Sequence, residues 1–324
     1  MKKIAILLVL IIFYASNTWA QKIDPQVKKE VELMSILARL AGYGEYNDDR
    51  GGRYTADIDS ILRKYRSHEA VKMMKQFKKK YGLGYDRVMS IALQIECRGD
   101  NIVKLDTGKK SISPIGQKET HEFLSALNDF YRTSRFNDFF NTHTDIYELG
   151  LQVFNDSVMA HFDQEWYTRF YGTPPAEQFR IIIGFTNGPC NYGPSRKLTG
   201  QPKEVFAIMN YAVDDNERPI FYKKVVETVV HEFCHSFTKI KGDTEKALEK
   251  SGKALQEYTY FSMRRQAYST WRNILEESLV RAATICYLID HDYDEKDIRN
   301  AIIEQVDRNF FWMPELVQTL RYYE

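Results

Sequence analysis

His231-Glu232-Phe233-Cys234-His235 is the segment of this sequence whose residue types and spacing can do chemistry. Val225, Val226, Val229, Val230, Phe233 and Phe237 recur around it at the three- and four-residue steps of a helix. Side chains at i and i+4 of a helix share one face, so His231 and His235 can present two imidazole nitrogens to one metal ion. Zinc suits such a pair, because two nitrogens leave room for an acidic ligand and a water. Glu232, beside the first histidine, can take a proton from that water. Zinc lowers the pKa of the water and polarises a carbonyl, so the reaction class is hydrolysis of an amide or a similar bond. With 7 His and 44 acidic residues in 324 positions, chance supplies about 0.02 such patterns. His121-Glu122 is an internal contrast: Ser125 stands where a second His would be needed, so that pair reads as surface.

Two histidines alone hold zinc weakly, and a third protein ligand has to come from elsewhere. Glu276, Glu277 and Asp243 are the candidates. The two glutamates lie in the apolar helical pattern that runs from Trp271 through Leu288. Adjacent positions on a helix differ by about 100°, so one of them at most can face the metal. The apolar pattern does not separate them.

Val229–His235 together with Phe237 resembles the zinc metallopeptidases of the gluzincin type, and the helix around Glu277 resembles them more weakly. The metzincin arrangement is excluded, because Thr238 and Lys241 stand where it needs Gly and His. The gluzincin resemblance implies a glutamate ligand on a later helix. Alignment of Glu277-Ser-Leu with the Glu-Gly-Phe style segment of that group favours Glu277, with Glu276 as its outward neighbour. Asp243 follows Gly242 as in aspzincins, but the Gly-Thr-x-Asp context of that group is absent. The implied centre is therefore zinc on His231, His235 and Glu277, with Glu232 as general base. Arg281 occupies the place where thermolysin-like enzymes carry an acid that supports the first histidine, which leaves that support unassigned. Tyr192, Tyr211 and His291 are candidates by type for stabilising an oxyanion. The resemblance also implies a small mixed sheet before the metal helix, with an edge strand that pairs with substrate backbone. Residues 203–212 are placed for that role, a plain core strand being the other reading. The chain further resembles an uncharacterised family of exported Bacteroidetes proteins. The residues that carry this are Glu32-Leu-Met-Ser-Ile-Leu-Ala-Arg-Leu-Ala41, Asn191-Tyr-Gly193 and the zinc motif. That likeness spans most of the mature chain and brings no substrate.

The elements that must position these residues read as helices, then a short sheet, then helices. Asp24-Pro25 predicts a helix start and Gly42 its end. Helical patterns cover 55–66, 68–81 and 86–96, a polar loop 98–117, and helix again 118–171. Phe179–Phe185 and Val205–Tyr211 are short and β-branched and predict strands. Residues 214–219 form a turn, and the pattern is helical from 220 to the end, with breaks near 241–243 and 291–293. The expected fold is α+β and mostly helical. A helical lobe over 21–145 precedes a zincin-like metal-binding domain with a small mixed sheet over 146–324.

The first twenty residues read as an address. Lys2 and Lys3 precede the apolar run Ile4–Tyr14, and small residues stand at Thr18 and Ala20. This is the pattern of a secretory signal peptide cleaved after Ala20, which sends the protein to the periplasm or the exterior. The run is shorter than the ~17 residues that a spanning helix needs, and no membrane span is expected in the mature protein. Lys plus Arg number 45 against 44 Asp plus Glu, so no overall charge recruits nucleic acid. A chain that is 44% hydrophobic and 27% charged can bury a large core and is neither disordered nor fibrous. Such a core does not need its four cysteines, Cys97, Cys190, Cys234 and Cys286, to be bridged. The expected function is an exported zinc-dependent hydrolase, a peptidase acting on a peptide or protein substrate. The alternative is a non-catalytic binding or scaffold protein on a zincin-like fold. Hydrolysis of a non-peptide amide would use the same residues.

Overall fold

Amphipathic periodicity turns most of this chain into helices that bury one face each. The computed structural model describes residues 22–323, so the signal-peptide reading of residues 1–20 lies outside the described residues. The first half contains α1 (Lys29–Leu40), α2 (Arg53–Asp57), α3 (Glu69–Tyr81), α4 (Asp86–Ala92), β1 (Ile95–Arg98) and β2 (Asn101–Lys104). It continues through α5 (Gln117–Thr133), α6 (Phe136–Asn141), α7 (Thr144–Ser157) and α8 (Trp166–Tyr171). The sheet region holds β3 (Gln178–Gly184), β4 (Ser195–Lys197) and β5 (Lys203–Asn210). Then come α9 (Val225–Cys234), α10 (Gly242–Arg265), α11 (Trp271–Asp290), α12 (Glu295–Asp307) and α13 (Met313–Tyr323). The protein is an α+β fold dominated by helices, with one two-stranded and one three-stranded sheet among the described residues. Helix ends follow local chemistry. Gly82 takes the left-handed conformation (φ +61°) that ends α3, and its N–H returns to the carbonyl of Phe77.

Three expectations change. The helix expected from Asp24-Pro25 starts later, at Lys29, because Gln26 pairs in parallel with Ile182 of β3. Its N–H reaches the Ile181 carbonyl and its carbonyl accepts from Ile183 N–H, which keeps residues around it extended. The helix expected to reach residue 96 stops at Ala92, and part of the expected loop 98–117 is the β1–β2 hairpin around Gly99-Asp100. Thirdly, β5 is no edge. It pairs in parallel with β3 and antiparallel with β4, so it is the central strand, and Val205 to Met209 are all buried. The open edge belongs to the segment that leads into β4, where Tyr192 bridges to Ile208.

The buried core runs without interruption from α1 through the sheet to α11 and α13. Phe179 of β3 stacks on Phe233 of α9 at 4.2 Å, which presses the apolar face of the motif helix onto the sheet. Val226, Val229 and Val230 complete that face with no exposure. On the other side of α9 lies α11, a helix buried throughout residues 282–288, whose start is capped by the Thr270 hydroxyl accepting from Asn273 N–H. No disulfide joins the four cysteines. Among the described residues, no helix is long and apolar enough to cross a membrane.

Candidate metal centre

Because α9 commits its valines and Phe233 to the sheet, His231 and His235 are turned toward α11, where they are half-buried with ring centroids 5.1 Å apart. From the facing helix, buried Glu277 reaches between them. Its Oε1 lies 3.5 Å from His231 Nε2 and its Oε2 lies 3.7 Å from His235 Nε2. One ligand atom from each of the three residues falls within 4.8 Å of the others. Two imidazole nitrogens and one carboxylate oxygen at this spacing could hold a metal ion, and a donor set of this kind fits zinc.

The neighbouring glutamate does something else. Glu276 Oε1 accepts from Ile240 N–H at 3.0 Å and its Oε2 pairs with Lys239 at 3.2 Å. It therefore ties down the chain that leaves the motif helix, just beyond His235. The rotation of about 100° between adjacent helical positions separates the two roles. Asp243 is exposed at the start of α10 and pairs with Lys246, away from the histidines.

Arg281, one turn after Glu277, places Nη2 2.7 Å from Glu277 Oε1. Its other donors reach Gln305 Oε1 at 2.5 Å and the Tyr268 hydroxyl at 3.1 Å, and Tyr268 also hydrogen-bonds Glu277. Burial opposes ionisation of Glu277, but the Arg281 guanidinium and the Tyr268 hydroxyl beside it help hold the carboxyl below its usual range. Burial pushes His231 down to about 3 and also lowers His235, so both imidazoles are neutral, the form that binds metal. With the imidazoles neutral, Arg281 is the permanent positive charge beside Glu277. The i to i+4 spacing of Glu277 and Arg281 was a sequence-level sign of this pair; Tyr268, on the connection before α11, carried no such sign.

Glu232 points under the sheet edge. A Cβ built on Gly193 would collide with Glu232 Oε2, so the chain passes directly over this carboxylate. Burial, and secondarily the charge of Glu277, raises Glu232 to about 7. No protein hydrogen bond or ion pair reaches it among the described residues. It is thus a carboxylate beside the metal donors with its proton-accepting capacity unused. A cavity of about 460 Å³ opens on the other side of His231, between α9, α11 and α12, lined by Thr228, Arg281, Ile285, Glu304 and Arg308.

The oxyanion candidates are placed as follows. His291 caps α11, with Nδ1 on the Tyr287 carbonyl and Nε2 on Asp163. Tyr211 packs on Phe185 at 4.2 Å in the core. Tyr192 stacks on Tyr46, with centroids 6.0 Å apart, in the segment that ends at Gly193. Of the three, Tyr192 alone is a chain neighbour of a residue, Gly193, that lies against Glu232.

Residues 23–324, essentially the whole described chain, match a family profile described as "Domain of unknown function (DUF4932)". The chain belongs to the DUF4932 family. No curated protein and no solved structure matches it. Within this DUF4932 chain the histidine–glutamate cluster joins α9 to α11, and the family's extent takes in both helices together with α1 and the sheet.

Proposed function

We propose that this protein is an exported zinc-dependent hydrolase of the gluzincin type that cleaves peptide amide bonds. The observation that carries the reading is the meeting of His231, His235 and Glu277 across two packed helices, with the unpartnered Glu232 carboxylate alongside. The donor set fits zinc in number and type, and bound zinc would supply Lewis acidity toward a water and a carbonyl.

The chain's own residues divide the remaining work. Glu232 accepts a proton from the attacking water and passes it to the leaving amine. Its raised pKa, near the working pH of a neutral compartment, suits both transfers. Arg281 and Tyr268 hold Glu277 in place. The sheet edge favours an extended peptide as substrate. Tyr192 pairs inward with Ile208, and the Pro194 carbonyl with Phe206 N–H. The N–H and C=O of Gly193 between them therefore face outward above Glu232, where a substrate backbone can pair.

The test is metal analysis of the purified mature protein, combined with a broad peptide-library cleavage assay. About one zinc per chain and metal-dependent cleavage are expected. A zinc-loaded protein that cleaves nothing would instead support a binding role on the same fold.

A further inference from the structure

Two sequence segments that the metal chemistry leaves unexplained are linked in the folded protein, through residues 185–187 and through Tyr46. They are the α1 segment starting at Glu32 and the Asn191-Tyr-Gly193 turn. Helix α1 buries three polar side chains at three- and four-residue steps, Glu32, Ser35 and Arg39, all essentially unexposed. Burying a carboxylate without a cation is costly, and among the described residues no cation pairs with Glu32. Its partners are donors on or near the segment that follows β3. Oε1 accepts from Phe185 N–H at 2.8 Å, and Oε2 accepts from the hydroxyls of Thr186 at 3.3 Å and Tyr54 at 3.0 Å. One turn on, the Ser35 hydroxyl donates to Asn187 Oδ1 at 3.4 Å. A further turn on, Arg39 donates to the Asp48 carbonyl at 2.7 Å and binds Asp49 and Asp59. That holds the loop whose Tyr46 stacks on Tyr192. Backbone of the same loop leaves no room for a side chain at Gly188. The polar stripe of α1 thus grips the chain at 185–187 and, through Tyr46, at 192. One residue later Gly193 lies against Glu232.

We infer that Glu32 is a positioning residue of the metal centre: through Phe185, Thr186 and the turn that follows, it sets where Gly193 crosses Glu232. A carboxylate is suited to this because it alone among side chains accepts three converging donors without needing to donate. An apolar residue would fill the space but leave the buried Phe185 N–H and Thr186 hydroxyl unpaired and the Tyr54 hydroxyl with Tyr147 alone. The inference rests on the proposed peptide-hydrolase reading, in which the outward peptide groups of Gly193 receive substrate.

The test uses the zinc-loaded mature protein and two probes. Acetohydroxamate grips the metal alone, whereas acetyl-Ala-Ala-hydroxamate must also lie along the Gly193 edge. Glu32→Ala is expected to weaken the peptide hydroxamate about tenfold while leaving acetohydroxamate affinity and zinc content unchanged. Glu32→Gln, which keeps an acceptor for Phe185 N–H, is expected to restore most of the loss. A general packing role for Glu32 would move both probes together, or neither. If Glu32→Ala does not fold, Ser35→Ala removes the single bond to Asn187 and is expected to act in the same direction with smaller size. Equal peptide-hydroxamate affinity in wild type and in the folded variants overturns the role of Glu32 alone. A wild type that binds acetohydroxamate but gains nothing from the peptide extension overturns the peptide reading, and this inference with it.

Discussion

Arg281 and Glu277 lie one turn apart on α11, and the guanidinium touches the same carboxylate oxygen that faces His231, at 2.7 Å. The buried acid that faces the two histidines thus has a permanent cation beside it. Both side chains are about nine-tenths buried, so solvent does little to replace either partner.

Removing the guanidinium should therefore make the protein lean on the metal. In Arg281→Gln the buried Glu277 charge loses its partner, which typically costs about 3 kcal/mol in the metal-free protein. Zinc would restore the missing positive charge, so the rise in Tm on adding zinc should be larger in the variant than in the wild type. Thermal melts with and without zinc decide this, and an equal rise in both proteins would count against it.

Zinc retention should separate the two adjacent glutamates. Glu277→Ala is expected to lose zinc to a chelator far more readily than wild type. Glu276→Ala should keep its zinc and lose about 1 kcal/mol of stability, through the Ile240 N–H and Lys239 contacts. Competition with a chromogenic chelator measures the first quantity and denaturant unfolding the second. The reverse order of zinc retention would reassign the ligand.

Glu232→Gln keeps the shape of the side chain and removes its basicity. Hydrolysis should fall by ~10²–10⁴ with zinc content nearly unchanged. Turnover at the wild-type rate on any substrate of the native protein would remove Glu232 from the mechanism.

Gly193→Ala introduces a methyl group where Glu232 Oε2 now lies. One of the two must move by an ångström or so. A misplacement of this size should cost about 10²-fold in rate while the three metal donors, which Gly193 does not touch, retain zinc. Parallel kinetics and metal analysis check both halves of this expectation.

Glu32 should make stability depend on pH. Burial raises its pKa from 4.5 to about 7 in the folded protein, against the three hydrogen bonds that favour the ion. Between these values the folded state holds a proton that the unfolded chain has released. The contribution of this group is thus greatest below pH 4.5, falls as pH rises toward 7, and is level above that. The difference corresponds to about 3 kcal/mol. In Glu32→Gln the decline between pH 5 and 8 should shrink by up to that amount, read as urea midpoints across pH. An unchanged slope would show that Glu32 does not titrate in this range.

The i to i+4 geometry of His231 and His235, and Glu232 beside them, was legible in the sequence because helical periodicity is local and six apolar neighbours declared the helix. The strands at 179–185 and 205–211 were legible for the same reason, since a β-branched run between turn residues says what it is without its partners. Where a strand sits in a sheet is another matter. The central place of β5, and the extended path of Gln26 that delays α1, come from hydrogen bonds between residues far apart in the chain. Local signals at Asp24-Pro25 could not outweigh those bonds. The choice between Glu276 and Glu277 turns on how α11 is rotated against α9, a packing quantity that no single helix contains. The passage of Gly193 over Glu232 is likewise decided by α1, a helix near the other end of the protein, through contacts that exist only once the chain has closed on itself.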